Sequence, residues 1–268
     1  MARHSPLLSV MIGAAHKAAR HLLRDFGEVE HLQVSRKGPA DFVSTADRRT
    51  ENILVKELQR ARPGYGFLLE ERGAIPGSDT SNRWIIDPLD GTTNFLHSIP
   101  HFAISIALER DGDLMAGVVY EPVHDEMFIA EKGTGAYLND RRLRVAARRN
   151  LDDAVFATGI PFKGARDHPL FLRQLGLVMA ETAGVRRFGA AALDLAYVAA
   201  GRYDGFWESG LHAWDMAAGI VLIREAGGFI SDFDGGSTMM TSGNIVTAND
   251  HLHAPLRKIL RQAETDQA

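Results

Sequence analysis

Two carboxylates, Asp87 and Asp90, sit where a short apolar run gives way to a turn, in Trp84-Ile85-Ile86-Asp87-Pro88-Leu89-Asp90-Gly91-Thr92-Thr93-Asn94-Phe95. Trp84 to Ile86 is long enough only for a buried strand end, and Pro88, with no N–H to donate, forbids the ladder from continuing. At such a turn Asp87 and Asp90 can aim oxygens at one point beside a free Leu89 carbonyl, an oxygen set that suits a hard cation such as Mg2+. From Gly91 onward the N–H groups face outward at a helix start, where the dipole and unpaired donors favour an anion. The chemistry open to this corner is that of a cation and a phosphate held side by side. An ordinary Asp-Pro, Asp-Gly surface turn is the alternative. Against it stand the wholly apolar strand, the two threonines after Gly91 and the return of apolar character at Phe95. Unpaired carboxylates in buried surroundings are unfavourable, and a bound cation relieves them.

Acids elsewhere could join the corner. Gly66 to Glu71 reads as a strand ending in Glu70-Glu71, and because adjacent strand residues point to opposite sides, only one of the pair can share a site with Asp87. Asp47 falls at the start of a helix whose body is Thr50 to Leu58, with Thr45 or Asp47 as N-cap; simple capping is the competing account of Asp47. A second acidic corner, Leu211-His212-Ala213-Trp214-Asp215, precedes a stretch with almost nothing polar until Arg224. A helix apolar all round is buried, and Asp215 near its N-terminus reads, taken alone, as a cap.

The elements that must position these residues follow from periodicity. Leu7, Val10, Met11, Ala14, Ala18 and Leu22 recur at helical spacing with Lys17, Arg20 and Arg24 opposite, which predicts an amphipathic first helix rather than a cleaved signal segment. Gly73 to Asn82 reads as a polar loop. Phe102 to Leu108, Ala116 to Tyr120 and Met127 to Ala130 predict a β-meander, with an Asp111-Gly112 turn and a glycine-bearing loop at Gly133 to Asn139. Arg141 to Arg149 holds five arginines; it marks a boundary between residues 1–145 and 146–268 and reads as a solvated face, with docking of a protein or nucleic acid as the alternative. Beyond it strands alternate with helices: Ala154 to Gly159, a helix over Pro169 to Thr182, Val185 to Phe188, a helix over Ala190 to Gly201, Gly205 to Glu208, the Asp215 helix, Phe229 to Phe233, Asn244 to Ala248 and a last helix. Helices packed on a mixed or parallel sheet are expected there.

With 268 residues, 45% of them hydrophobic, the chain can bury a large core. The net charge of -4 gives no broad field for nucleic acid. Absence of cysteine rules out disulfides and thiolate zinc sites and suits the cytoplasm. No run approaches the ~20 apolar residues of a membrane span.

Taken together, the two corners resemble the paired signatures of the inositol monophosphatase family: Trp84 to His97 is similar to the first, Trp214-Asp215-Met216-Ala217-Ala218-Gly219 to the second, and Phe67 to Glu71 to the upstream glutamate pair. The likeness runs from about Lys37 to Ala248. It implies a layered αβαβα sugar-phosphatase fold of the α/β class, with an antiparallel N-terminal sheet and a mixed C-terminal one, and Mg2+-dependent, lithium-sensitive hydrolysis of a phosphate monoester. By the same resemblance, Glu70, Asp87 and the Leu89 carbonyl bind one metal, and Asp87, Asp90 and Asp215 a second. The N–H groups of Gly91 and Thr92 meet the phosphate, and Glu70, Asp47 and Thr92 make the catalytic set, Thr92 and Asp47 orienting the attacking water. Glu208, Gly189, Ala190, Ala191 and His212 lie where the family contacts its polyol, and Lys37 matches a basic residue beside the site. Residues 1–145 then carry most metal ligands and 146–268 carry Asp215 and the substrate contacts. Inositol-1-phosphate is the leading substrate; fructose 1,6-bisphosphate, 3′-phosphoadenosine 5′-phosphate and histidinol phosphate are the rivals. A homodimer is implied. Such chemistry needs these residue types because a phosphate dianion repels hydroxide, and two cations can both neutralise charge and acidify water. His97 and His101 read as structural, and Lys163, in a stretch similar to bacterial members, has no assigned role.

Overall fold

A computed structural model of the chain describes residues 4–29, 34–38, 41–161 and 167–265, with the segments 34–38 and 41–44 described by their backbone course. The Lys37 side chain and Lys163 lie outside the described residues. Helix α1 (Pro6–Gly27) realises the amphipathic reading: the Ser5 hydroxyl caps it by accepting from the Leu8 N–H at 3.1 Å, and Pro6 takes a first-turn position where its missing N–H is not needed. Its buried stripe of Leu8, Met11, Ala15, Ala18 and Leu22 packs with α2 (Thr45–Ala61). Between them lies the antiparallel hairpin β1 (Val34–Gly38) and β2 (Asp41–Ser44) in sequence. Helix α2 begins at Thr45, so Asp47 stands inside the first turn rather than capping it.

Eight strands form the large sheet: β3 (Tyr65–Leu69), β4 (Gly73–Ile75), β5 (Asp79–Asp90), β6 (Ala103–Arg110), β7 (Asp113–Glu121), β8 (Glu126–Glu131), β9 (Gly135–Leu138) and β10 (Arg141–Arg142), in the order β10-β9-β8-β7-β6-β5-β3-β4. The meander is as expected, but the sheet is not wholly antiparallel. Strands β3 and β5 run parallel, because the β4 reversal turns the chain back before β5 begins. The stretch expected as a loop from Gly73 to Asn82 contains edge strand β4 and the first residues of β5. Both are mostly exposed and carry no alternating apolar signal. Gly133 to Asn139 likewise contains β9. Pro88 does not end its strand. Asp87 pairs with Ser105 and Asp90 with Ala103, so the register slips by one residue and Pro88 falls in a bulge, where no ladder N–H is required.

The second sheet, β12-β11-β13-β15-β14, is mixed: β11 (Val155–Thr158) is parallel to β12 (Gly184–Arg186) and β13 (Gly205–Glu208), while β15 (Ile245–Ala248) is antiparallel to β13 and β14 (Phe229–Ser231). Helices α5 (Ala191–Ala199) and α6 (Ala213–Glu225) fill the space between the sheets, and α4 (His168–Glu181) and α8 (His253–Thr265) cover the far face. The layers are therefore α1/α2, large sheet, α5/α6, small sheet, α4/α8. Two short helices, α3 (Thr92–Leu96) and α7 (Met239–Ser242), and a 3-10 turn at Leu151–Asp153 complete the described elements.

Helix α6 is buried on every side from Met216 to Ile223, and one continuous core joins its Ile220 and Leu222 to Leu195 of α5, to Ile85, Val119 and Phe128 of the large sheet and to Phe206 of the small one. Helix and sheet approach closely at Gly117 of β7, where a Cβ would stand 2.5 Å from the Ala218 carbonyl oxygen. On the opposite face Trp84, Ile86, Phe95 and Phe102 pack with Met11 and Leu54. Strand alternation thus sends Trp84 and Ile86 outward and Ile85 inward. Asp87 follows on the inner side, toward the helix starts of α5 and α6.

Candidate active site

Each acid is held by a backbone N–H from a different place in the chain. Asp87 is 3% exposed, and its Oδ1 accepts from the Leu89 N–H at 2.9 Å across the bulge. Asp90 Oδ2 accepts from the Ala192 N–H at 2.7 Å, so this carboxylate sits on the first turn of α5. Asp215 occupies the third position of α6, and its Oδ2 accepts from the His212 N–H at 2.7 Å in a capping box. The capping account of Asp215 is correct, and the same carboxylate also faces the other acids. Glu70 follows directly after β3, whose Leu69 pairs with Ile86; the Glu70 N–H donates to the Ile86 carbonyl at 3.2 Å, which sets it beside Asp87. Its neighbour turns to other business: the Glu71 N–H donates to Glu51 Oε2 at 2.9 Å, and Arg72 Nε to Glu51 Oε1 at 2.6 Å.

Burial and nearby negative charge raise the three aspartates together. Asp87 is pushed well above the carboxylate range first by burial and then by the negative charges of Glu70, Asp90 and Asp215, and it shares a hydrogen bond with Glu70. Asp90 rises to about 7 through burial, opposed by the Ala192 N–H and reinforced by Glu70. Asp215 is also well above its ordinary value, by burial and then by Asp90.

Around this cluster the corner is built by small residues. Gly91 caps α3 at φ +88°, in the left-handed region, and a Cβ there would stand 3.0 Å from the His101 carbonyl oxygen. Thr92 Oγ1 lies 3.1 Å from Oδ1 of the wholly buried Asp47 and 3.0 Å from the Leu89 carbonyl oxygen. One hydroxyl proton serves one of these acceptors at a time. The first N–H groups of α3 have no acceptor within the helix. Asn94, which sequence reasoning passed over, stitches the corner to the segment before α5: its Nδ2 donates to the carbonyls of His101 at 2.8 Å and Phe188 at 2.7 Å. A polar residue lodged between Thr93 and Phe95 was the available signal.

The residues expected to contact a polyol gather on the side of the small sheet. Gly189 has φ +80°, Ala190 caps α5 and Ala191 begins it. Glu208 ends β13 and rises to about 8 through burial, then through the Asp90 charge, against the pull of Arg187. His212 is exposed and stacks on Trp214 at 4.7 Å between ring centroids. Asp194 of α5 was not anticipated, although an acid inside so apolar a helix was legible. It is 1% exposed, neither oxygen meets a hydrogen-bond donor among the described residues, and burial followed by Glu208 and Asp90 raises it strongly. His101 packs against Phe188 and Tyr197 and is lowered to about 4 by burial. His97 caps the end of α3 with its backbone.

Among the described residues no group of three or more His, Asp or Glu side chains is gathered as tightly as a metal-bound set. The hydrogen bonds above hold the carboxylates on separate backbone donors. The donor set nevertheless fits a hard divalent cation: it is made of oxygens only, and the leading charges that act on Asp87 are all negative.

The profile of the Inositol monophosphatase family matches residues 3–265. A protein of Mesorhizobium japonicum named Inositol-1-monophosphatase is 61% identical over 262 residues, covering 98% of each chain. Another relative, named Nus factor SuhB in Escherichia coli (strain K12), is 42% identical over 261 residues, covering 97% of this chain and 98% of that one. Among solved structures, the extragenic suppressor protein suhB from Bartonella henselae superposes with a TM-score of 0.94 at 57% identity, covering 96% of this chain and 99% of that one.

Proposed function

This chain belongs to the inositol monophosphatase family and is a phosphatase, and from that premise we propose that it hydrolyses inositol-1-phosphate to inositol and phosphate with Mg2+ as cofactor. The observation that carries the reading is the convergence on Asp87 of the negative charges of Glu70, Asp90 and Asp215, the four acids drawn from three separated segments. Glu70, Asp87 and the Leu89 carbonyl would hold one cation, and Asp87, Asp90 and Asp215 a second. When bound, such cations supply charge compensation for the phosphate dianion and acidify water near neutral pH.

The chain's own groups do the positioning. A Thr92 hydroxyl that donates to Asp47 turns an oxygen lone pair outward, so it accepts from the attacking water and orients it. The Gly91 and Thr92 N–H groups meet the phosphoryl oxygens as donors fixed in place. Glu208, His212 and the Gly189 to Ala191 backbone face the polyol, and Glu208 accepts from its hydroxyl groups. The division near residue 145 is proposed on the boundary between the two sheets, and assembly as a homodimer by resemblance to the family.

A substrate panel with Mg2+ and with a chelator tests the proposal. Inositol-1-phosphate should be turned over fastest and only with Mg2+. Faster turnover of fructose 1,6-bisphosphate, 3′-phosphoadenosine 5′-phosphate or histidinol phosphate removes the substrate assignment, and full activity in chelator removes the cofactor. The exposure of Arg141, Arg142, Arg144 and Arg149 favours a second role, recognition of an acidic macromolecule. A relative in Escherichia coli bears the name Nus factor SuhB rather than that of a phosphatase. Titration with a labelled RNA oligonucleotide checks the second role, salt-sensitive binding being the expected result.

A further inference from the structure

Glu208 and Gly159 meet at the carboxyl ends of neighbouring parallel strands. Strand β11 lies beside β13 with Thr158 opposite Trp207, and Thr158 Oγ1 locks the pair by donating to the Trp207 carbonyl at 2.8 Å. The next residues are Gly159 and Glu208. A Cβ built on Gly159 would fall on the Glu208 carboxyl, with Oε1, Cδ and Oε2 all within 3.0 Å, closer than real Cβ contacts come. The whole carboxyl group occupies the space that a side chain at 159 would need.

Backbone conformation does not explain the glycine. Gly159 is not in the left-handed region, so its φ suits any residue. What it supplies is room. Glu208 in turn is flanked by groups that leave its carboxyl no indifferent position: Asp90 and Asp194 repel it and Arg187 attracts it. A carboxyl lifted out of the seat therefore changes both its direction and its electrostatic surroundings.

We propose that Gly159 determines specificity by seating the Glu208 carboxyl in the space of its missing side chain, which fixes where the protein accepts hydrogen bonds from the hydroxyl groups of a polyol phosphate. This rests on the reading of Glu208 as the polyol contact. Gly159 is a positioning residue and acts through Glu208. Filling the seat with a methyl group strikes the end of a rotatable side chain, so G159A keeps the fold while moving the acceptor.

The test compares inositol-1-phosphate with phenyl phosphate, which has no hydroxyl groups on its organic part, in wild type, E208Q, G159A and the double variant. In E208Q the ratio of kcat/KM for the two substrates should fall, by up to about tenfold, the upper end of what one hydrogen bond is worth. G159A should lower it by a similar factor, mainly through KM, with a melting temperature within about 2 °C of wild type, since only a side-chain rotation is needed. The double variant should be no worse than E208Q alone, because both changes act on one contact. If E208Q lowers the ratio while G159A preserves it, the seat is wrong and the Glu208 reading stands. An unchanged ratio in E208Q overturns both. Additive losses in the double variant, or a G159A protein that fails to fold, overturn the seat as well.

Discussion

Replacing Asp90 by Asn should stabilise the metal-free protein, by an amount that grows with pH. The Asp90 carboxyl is raised from 3.8 to about 7, by burial and then by Glu70 against the Ala192 N–H. A folded-state value above the unfolded one means that folding takes up a proton between the two. The stabilisation from this group is therefore complete below pH 3.8 and lost as pH rises through about 7. At ~1.36 kcal/mol per pH unit the shift amounts to roughly 4 kcal/mol, an upper bound for a group that keeps some exposure. Asn carries no charge, and its amide oxygen can still accept from the Ala192 N–H now 2.7 Å away, so the variant keeps the contact and removes the buried charge together with its repulsion by Glu70. Urea unfolding in EDTA, followed by the fluorescence of the three tryptophans, reads the difference. The variant should match wild type near about pH 4 and exceed it by about 2–4 kcal/mol near about pH 8, the bound worked above after screening. Millimolar Mg2+ should close or reverse the gap, because binding to the native state stabilises wild type more. A difference that does not change with pH, or a variant weaker than wild type in EDTA at the alkaline end, would refute the electrostatic reasoning.

Thr92→Val removes the hydroxyl that lies 3.1 Å from Asp47 while keeping the side-chain shape. It should lower kcat roughly a hundredfold with a smaller change in KM, as loss of an oriented proton-transfer partner does, and steady-state kinetics would expose an unaffected enzyme. Gly117→Ala forces a methyl group against the α6 backbone, 2.5 Å from the Ala218 oxygen, and should destabilise the protein by ~2 kcal/mol or more in urea, since neither partner is a movable side chain. Millimolar Li+ should inhibit turnover; a rate unchanged by lithium would count against the family mechanism.

The parts of the fold legible in the sequence are those where one physical rule acts alone. The stripe of α1, the all-round apolar run of α6 and the alternation of β5 each encode an address for the residue next to it. Asp87 is placed by parity with Ile85, and Asp215 by its position at the start of α6. Elements at edges escaped because exposure removes the pattern: β4 has only three residues, mostly exposed, and the start of β5 is polar. Pro88 misled because the rule against proline in a ladder holds for regular register, and here the chain answers with a bulge. Asp194, Asn94 and the space at Gly159 are consequences of three-dimensional packing, in which the meaning of a residue depends on partners nearly a hundred positions away.

That dependence bears on how the site forms. The Asp90 carboxylate rests on an α5 N–H, Asp215 on the N–H that opens α6, Glu70 on the backbone beside β5, and Thr92 against the first turn of α2. Local segments bring no two of these acids together except Asp87 and Asp90. Glu70 joins them when β3 pairs with β5, and Asp215 only when α6 has closed the core shared by both sheets. Four carboxylates oppose that closure at neutral pH, so the apolar burial of α6 must supply the free energy that gathers them. The repulsion left over in the folded, metal-free chain is then available to divalent cations as differential affinity for the native state. A core that is the same for both sheets, with charge concentrated at its rim, couples the stability of the fold to occupancy of the site.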